Sequence, residues 1–153
     1  MAAKEVHVAQ ARHNEELAAK LVDDPPFHDW GVTAAFYAAI HFVEAWLFDR
    51  PERHTETSIP TDDEGNAKHT AHVWREKLVE ARLGQQAFSA FRKLHISSEC
   101  ARYLSLHRGP AGQEPEWLIS PASVYISQQE ARKLLQHLQT LKWSVLGPAS
   151  RSN

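Results

Sequence analysis

The sequence predicts an all-α fold, a single five-helix up-and-down bundle, from three observations. Apolar residues recur at steps of three and four in five separate segments, the period of a helix with one buried face. No segment gives a convincing strand pattern. Prolines and glycines fall mostly between the periodic segments, where they punctuate rather than interrupt them. The length of 153 residues suits one core, and a hydrophobic content of 42% is enough to fill it. The expected division is a bundle over 1–147 and a flexible tail over 148–153.

The first helix is expected over about Lys4–Leu21, with Leu17, Ala18 and Leu21 as its apolar stripe. Asp23-Asp-Pro-Pro26 stops it, because prolines remove backbone donors and disfavour helical geometry in the residue before them. The second helix runs from near Asp29, an expected N-cap, to just before Pro51. Val32, Phe36, Ile40, Val43 and Leu47 form one apolar ridge, and Trp30, Ala34, Tyr37, His41, Glu44 and Phe48 form a second beside it. A helix apolar nearly all round is a central one, yet this one carries an imidazole and a carboxylate one turn apart. Burying such groups is unfavourable unless they are paired or used.

Residues 51–66 are polar and aperiodic, the longest expected loop. A third helix is expected over about 67–82, with Ala71, Trp74, Leu78 and Ala81 inward and His72, Arg75 and Val79 flanking. The fourth, about 85–106, presents Ala87, Phe91, Leu94, Ser98, Ala101 and Ser105 on one face and ends at Arg108-Gly-Pro110. Residues 109–126 read as irregular, pinned by Trp117-Leu-Ile119 and Val124-Tyr-Ile126. Ser127-Gln-Gln-Glu130 is a capping box that opens the last helix, whose inward face is Ala131, Leu134, Leu135, Leu138, Leu141 and Val145.

Composition excludes several function classes. One cysteine, Cys100, rules out an intrachain disulfide framework and a cysteine zinc cage. The chain shows neither a signal peptide nor a membrane span, which implies a cytoplasmic protein without a membrane partner. Residues 1–91 hold 9 Lys/Arg against 15 Asp/Glu, and residues 92–153 hold 8 against 4. The mildly basic second half permits a local anion-binding face without making the whole protein seek polyanions. Ten histidines include His69 and His72 one turn apart and His41 with Glu44 one turn on. The order His-x-x-Glu is the reverse of the Glu-x-x-His pairs that build carboxylate-bridged metal sites in bundles, and His-Glu-x-x-His is missing. No metal and no cofactor is therefore expected. A Walker loop, a glycine-rich dinucleotide loop and a Ser-His-Asp arrangement are missing as well.

Several residues together carry a resemblance. They are His7 and Asn14; Asp29-Trp-x-Val-Thr-Ala-Ala-Phe-Tyr-Ala-Ala-x-His41-x-Val-Glu44-Ala45; His72 with Arg75; and Ser98 with Ala101-Arg-Tyr103. In this pattern, which spans nearly the whole domain, the chain resembles the HEPN-like (higher eukaryotes and prokaryotes nucleotide-binding) proteins, all-α bundles that often dimerise. The resemblance implies a homodimer and an RNA-directed function. That function extends to a metal-independent endoribonuclease of a toxin-antitoxin or phage-defence system, with a partner protein such as a nucleotidyltransferase antitoxin. In catalytic members an arginine followed by a histidine four to six residues on cuts RNA, which implies Arg102 as phosphate clamp and His107 as acid/base. A guanidinium braces phosphoryl oxygens with its planar fork of donors, and an imidazole near neutral pKa exchanges protons with ribose or leaving oxygens. The alternative is a non-catalytic binding or assembly module for a partner protein or nucleotide.

Residues five apart on a regular helix diverge by about 140°, so Arg102 and His107 converge only where the helix frays near Leu106. Without chemistry, Arg102 would pair with Glu99 one turn back, and His107 would be a helix C-terminal residue favoured by the dipole. His41 and Glu44, with His72, Arg75 and Tyr103, read as a supporting polar network. One alternative makes it a buried network fixing the register of helices two, three and four, the reading favoured here; the other makes it a polar patch at a dimer cleft, with Arg75 or Arg102 neutralising Glu44.

Overall fold

A computed structural model of the chain describes residues 2–106 and 114–147, which are mostly helical. In chain order the elements are α1 (Lys4–Val22), α2 (His28–Leu47), a 3₁₀ turn (Glu56–Ser58), α3 (Ala71–Leu83), α4 (Gln85–Tyr103), β1 (Ser105–Leu106), β2 (Glu116–Trp117), α5 (Ala122–Tyr125) and α6 (Gln128–Leu146). Among the described residues no helix is long and apolar enough to cross a membrane.

The axis of the bundle is α2. Sixteen of its 20 residues are buried, so its apolar surface meets neighbours on almost every side. It packs against α1, α4 and α6, while α3 lies against α4. The whole first ridge, Val32, Phe36, Ile40, Val43 and Leu47, is in the core with Phe42, Phe91, Leu94, Leu138 and Leu141. Small residues set the closest approach, between α1 and α2. A Cβ on Gly31 would lie 2.9 Å from the Val22 nitrogen and 3.2 Å from the Ala18 carbonyl oxygen, so the two backbones meet there as only glycine allows.

That approach corrects the expected face of α1. His7, Ala11, Ala18 and Val22 are buried, whereas Leu17 is exposed and Leu21 half-buried. Alanines fit against the close α2 backbone; the bulkier leucines stand on the wall of an open groove. The start of α2 also differs: Phe27 occupies the N-cap without a side-chain bond, and Asp29 is buried in the first turn.

Helix α3 begins at Ala71, where the Thr70 hydroxyl accepts from the Val73 N–H at 3.4 Å. Its inward residues are Arg75, Leu78 and Val79, and Ala81 is exposed. The helix is turned from the expected phase so that Arg75 meets Glu44. The predicted face of α4 is buried throughout, from Ala87 to Ser105. The helix itself stops at Tyr103, before Leu106, because Leu104 adopts the left-handed conformation (φ 53°).

Beyond it, β1 pairs antiparallel with β2, Ser105 opposite Trp117 and Leu106 opposite Glu116. Strands of two residues are too short to display an alternating pattern, so the sequence reading missed them. The expected pinning by 117–119 and 124–126 holds for Leu118, Tyr125 and Ile126 and not for the other three residues. Trp117 and Ile119 are 66% and 94% exposed and Val124 is exposed, while Ile126 is buried and Leu118 packs partly on the core. The short α5 was unexpected as well. The capping box of α6 is present in full: Ser127 Oγ accepts from the Glu130 N–H, and Glu130 accepts from the Ser127 N–H. The expected tail over 148–153 lies outside the described residues.

Candidate functional site

One stripe of α2 carries Tyr37, His41 and Glu44 on successive turns, with Phe36 of the neighbouring ridge beside it. Around that stripe α1 contributes His7, the loop after α2 His54 and Thr55, α3 His72, Arg75 and Glu76, and α4 His95, Ser98 and Arg102. The result is a polar and aromatic seam through the bundle.

Glu44, 2% exposed, is its buried end. One carboxylate oxygen accepts from Arg75 Nε and Nη2, both at 2.7 Å. The other accepts from the Thr55 N–H at 3.0 Å and lies 3.4 Å from His54 Nε2. Burial alone pushes the carboxyl upward, but the Arg75 charge and the Thr55 hydrogen bonding outweigh it and hold it below its usual range. Arg75, 4% exposed, is therefore what neutralises Glu44, and Arg102 is not. This pair ties α2 to α3 and fixes the loop through Thr55.

His41 touches His7 rather than Glu44: their Nδ1 atoms are 3.1 Å apart, so one ring donates and the other accepts. The His54 ring lies 5.5 Å from that of His7. Burial pushes the pKa values of His7 and His41 down; for His41 the neighbouring His7 adds to it. His72 is pushed furthest, to about 4, by burial and then by the charges of Arg75, His95 and Arg102. Its Nδ1 sits 3.3 Å from Arg75 Nη1, and since arginine only donates, His72 accepts there as a neutral ring.

His95 lies face to face with Phe36, ring centroids 4.9 Å apart and planes within 10°. Its Nδ1 is 2.6 Å from Glu76 and its Nε2 3.5 Å from Glu99. The expected Arg102–Glu99 pair is thus replaced by a His95–Glu99 pair.

Arg102 is half-buried at the surface end of the seam. Its Nε donates to the Ser98 carbonyl oxygen (3.3 Å), Nη2 to the Ser98 hydroxyl (3.2 Å) and Nη1 to the Tyr103 hydroxyl (3.1 Å). A longer contact of 3.5 Å reaches the Tyr37 hydroxyl. Its guanidinium carbon lies 4.7 Å from the Tyr103 ring centre, 5.6 Å from Phe36 and 5.7 Å from Tyr37. Among the described residues no carboxylate is within ion-pair distance of it. His107 lies outside the described residues.

From Tyr37 an open groove of about 400 Å³ runs between α1 and α2, walled by Leu17, Trp30, Tyr37 and His41, with Gln10 and Asn14 on its rim. Among the described residues no group of three or more His, Cys, Asp or Glu side chains is arranged to hold a metal ion.

Of the residues named from sequence, Glu44, His72 and Arg75 meet directly, His41 joins them through His7 and His54, and Tyr103 stands at Arg102. His54, Thr55, Glu76, His95, Ser98 and Tyr37 were not selected as site residues. The heptad-like spacing of His95, Ser98 and Arg102 could have revealed those on α4. The loop residues His54 and Thr55 have no periodicity to betray them. No protein-family model, curated protein or solved structure significantly matches the chain.

Proposed function

We propose that this is an RNA-directed, HEPN-like protein that holds unpaired RNA with Arg102 at the end of α4. The observation that carries the reading is the state of that guanidinium. Of its five N–H donors, three are engaged by Ser98 and Tyr103 and one makes the long contact to Tyr37. Among the described residues one N–H of Nη2 remains for a ligand, and no carboxylate compensates the positive charge. A phosphate is the anion whose geometry suits the planar fork. The neighbouring groove, with exposed Trp30 and Tyr37, supplies faces on which bases of a single strand stack.

Cleavage is the further step of this reading. His107 would take the proton of a ribose 2′-hydroxyl as that oxygen bonds to phosphorus, and the bond to the 5′-oxygen breaks. Arg102 would brace the non-bridging oxygens as charge grows, and a protonated acid would supply the leaving oxygen with its proton. No metal enters. The early end of α4 at Tyr103 supports the pairing, since it removes the divergence that a continuing helix would impose on residues 102 and 107. A homodimer would bring two such ends into one cleft.

The test uses purified protein, single-stranded RNA and a chelator, with Arg102→Ala and His107→Ala variants. Chelator-resistant cleavage lost in both variants is expected. Cleavage undiminished in both sinks the assignment. RNA binding without cleavage, weakened in Arg102→Ala and with its salt slope reduced by about one, would instead mark a non-catalytic binding module that uses the same clamp.

A further inference from the structure

On the side of α4 opposite Arg102, a second cleft opens toward α6. Lys93, Ser97 and Cys100 recur there at steps of four and three, roughly half a helical turn from His95, Ser98 and Arg102. The outer hollow, about 270 Å³, has Ile96 and Leu134 for its floor and Lys93, Lys133 and His137 at its mouth. An inner hollow of about 160 Å³ shares Ile96, Ser97, Glu130 and Leu134 with it and continues under Leu106, Tyr125 and Ile126. The two share one wall: lysines stand at the outer mouth, and the inner hollow is lined by Leu106, Ile126 and Leu134 together with Ser97, Tyr125 and Glu130.

The charges at the mouth are not all available. Glu130 is committed to the start of α6, where it accepts from both the Ser127 N–H and hydroxyl at 2.8 and 2.7 Å. Those bonds hold its carboxyl below the usual range, so it stays a fixed negative charge. Lys93 and Lys133 have no ion-pair partner within 4 Å among the described residues. Burial, followed by the Lys93 charge, pushes the His137 pKa down, so its ring is neutral at pH 7 and presents one N–H. Two lysines against one carboxylate leave one excess positive charge over an apolar pocket.

We propose that this cleft binds a small amphiphilic carboxylate: a monoanion whose head sits between Lys93 and Lys133 and whose apolar body lies along Ile96 and Leu134 toward Tyr125. The charge balance fits a monoanion, and the apolar lining fits a short acyl or aryl body in place of a sugar or nucleotide. Such a ligand would clamp α4 to α6. It is independent of the RNA reading, which uses the other face of α4.

The experiment is calorimetric titration of the full chain with octanoate, with 1-octanol as the same apolar body without the charge. Saturable octanoate binding is expected, at least tenfold tighter than octanol, with a rise in melting temperature. Lys93→Gln with Lys133→Gln, both exposed positions, should weaken octanoate about tenfold and remove the preference over octanol. Ser97→Phe, which fills the junction of the two hollows, should abolish binding in a variant whose circular dichroism is unchanged. No saturation by octanoate in the millimolar range overturns the proposal. Equal affinity for octanoate and octanol, or lysine-variant affinity equal to that of the unaltered chain, overturns it as well.

Discussion

Replacing Glu44 by Gln isolates the energetics of the buried seam. The substitution keeps the side chain's size and an oxygen acceptor but removes the charge that Arg75 faces at 2.7 Å. Arg75 is 4% exposed, so its guanidinium would remain buried with no carboxylate against it. Removing one partner of a buried ion pair destabilises by roughly 3–5 kcal/mol, mainly through the charge left behind. Against a total stability of about 5–15 kcal/mol for a domain, that is a large fraction. For a chain of this length each 1 kcal/mol moves Tm by about 2–4 °C, which gives a fall of roughly 6–20 °C. Urea unfolding at pH 7.5, followed by circular dichroism, should show the same loss as a lower midpoint at unchanged slope. The double variant Glu44→Gln with Arg75→Met removes both charges. It should recover a substantial part of the loss, because no charge is then stranded. A Glu44→Gln variant within 1 kcal/mol of the unaltered protein would refute the reasoning. So would a double variant as destabilised as the two single losses added together, since that would mean the charges do not act as a pair.

Acidification should weaken the fold before any carboxylate is protonated. The folded pKa values of His7, His41 and His72 lie below 6.5, so the unfolded chain takes up their protons first. Their contribution is complete above about pH 6.5 and declines as pH falls below it. For His72 the decline continues to about 4 and amounts to about 2 kcal/mol after allowance for solvent screening. Urea midpoints measured from pH 7.5 to 4.5 should fall steadily, and His72→Gln should flatten the curve; a pH-independent midpoint would count against the buried neutral rings. Gly31→Ala should destabilise by about 1–3 kcal/mol, since its methyl would press on the Val22 nitrogen at 2.9 Å; thermal melts read this directly, and a neutral result would mean that α1 and α2 are not locked there. Ser127→Ala should cost about 1 kcal/mol by removing the acceptor for the Glu130 N–H, seen as a shift of a few degrees in Tm, and no shift would show that the capping box contributes nothing.

The central helix was legible because its signal is redundant. Many apolar positions around one segment can only be satisfied by neighbours on every side, and α2 has them. The face of α6 was readable from its leucines at regular steps, and that of α4 from Phe91 and Leu94 with small residues in phase with them. Phase failed where small or charged residues decided it. In α1 the alanines, not the leucines, face inward because Gly31 draws the backbones together, a pairwise fact that neither helix shows alone. In α3 one of the three buried residues is an arginine, which a hydrophobic pattern assigns to solvent until its carboxylate partner is known. His54 and Thr55 reach Glu44 from an aperiodic loop, where spacing carries no information about proximity.

The pairing within the seam also separates scaffolding from chemistry. Glu44 is a carboxylate inside an apolar helix, yet both of its oxygens already have donors, two from Arg75 and one from Thr55. A carboxylate so occupied, with its pKa held down, is a poor proton acceptor. His72 accepts from Arg75 and is kept neutral, while both nitrogens of His95 face carboxylates. Each of these groups is paired within the bundle, as expected of residues that hold helices in register. Arg102 differs in kind: it is braced by Ser98, flanked by three aromatic rings and, among the described residues, left with an open donor and no carboxylate partner. Ser98 fixes that guanidinium through both its carbonyl and its hydroxyl, so the cation is oriented in advance of any ligand, and the entropy of placing it is already spent. A side chain held that way is suited to meet an anion from outside.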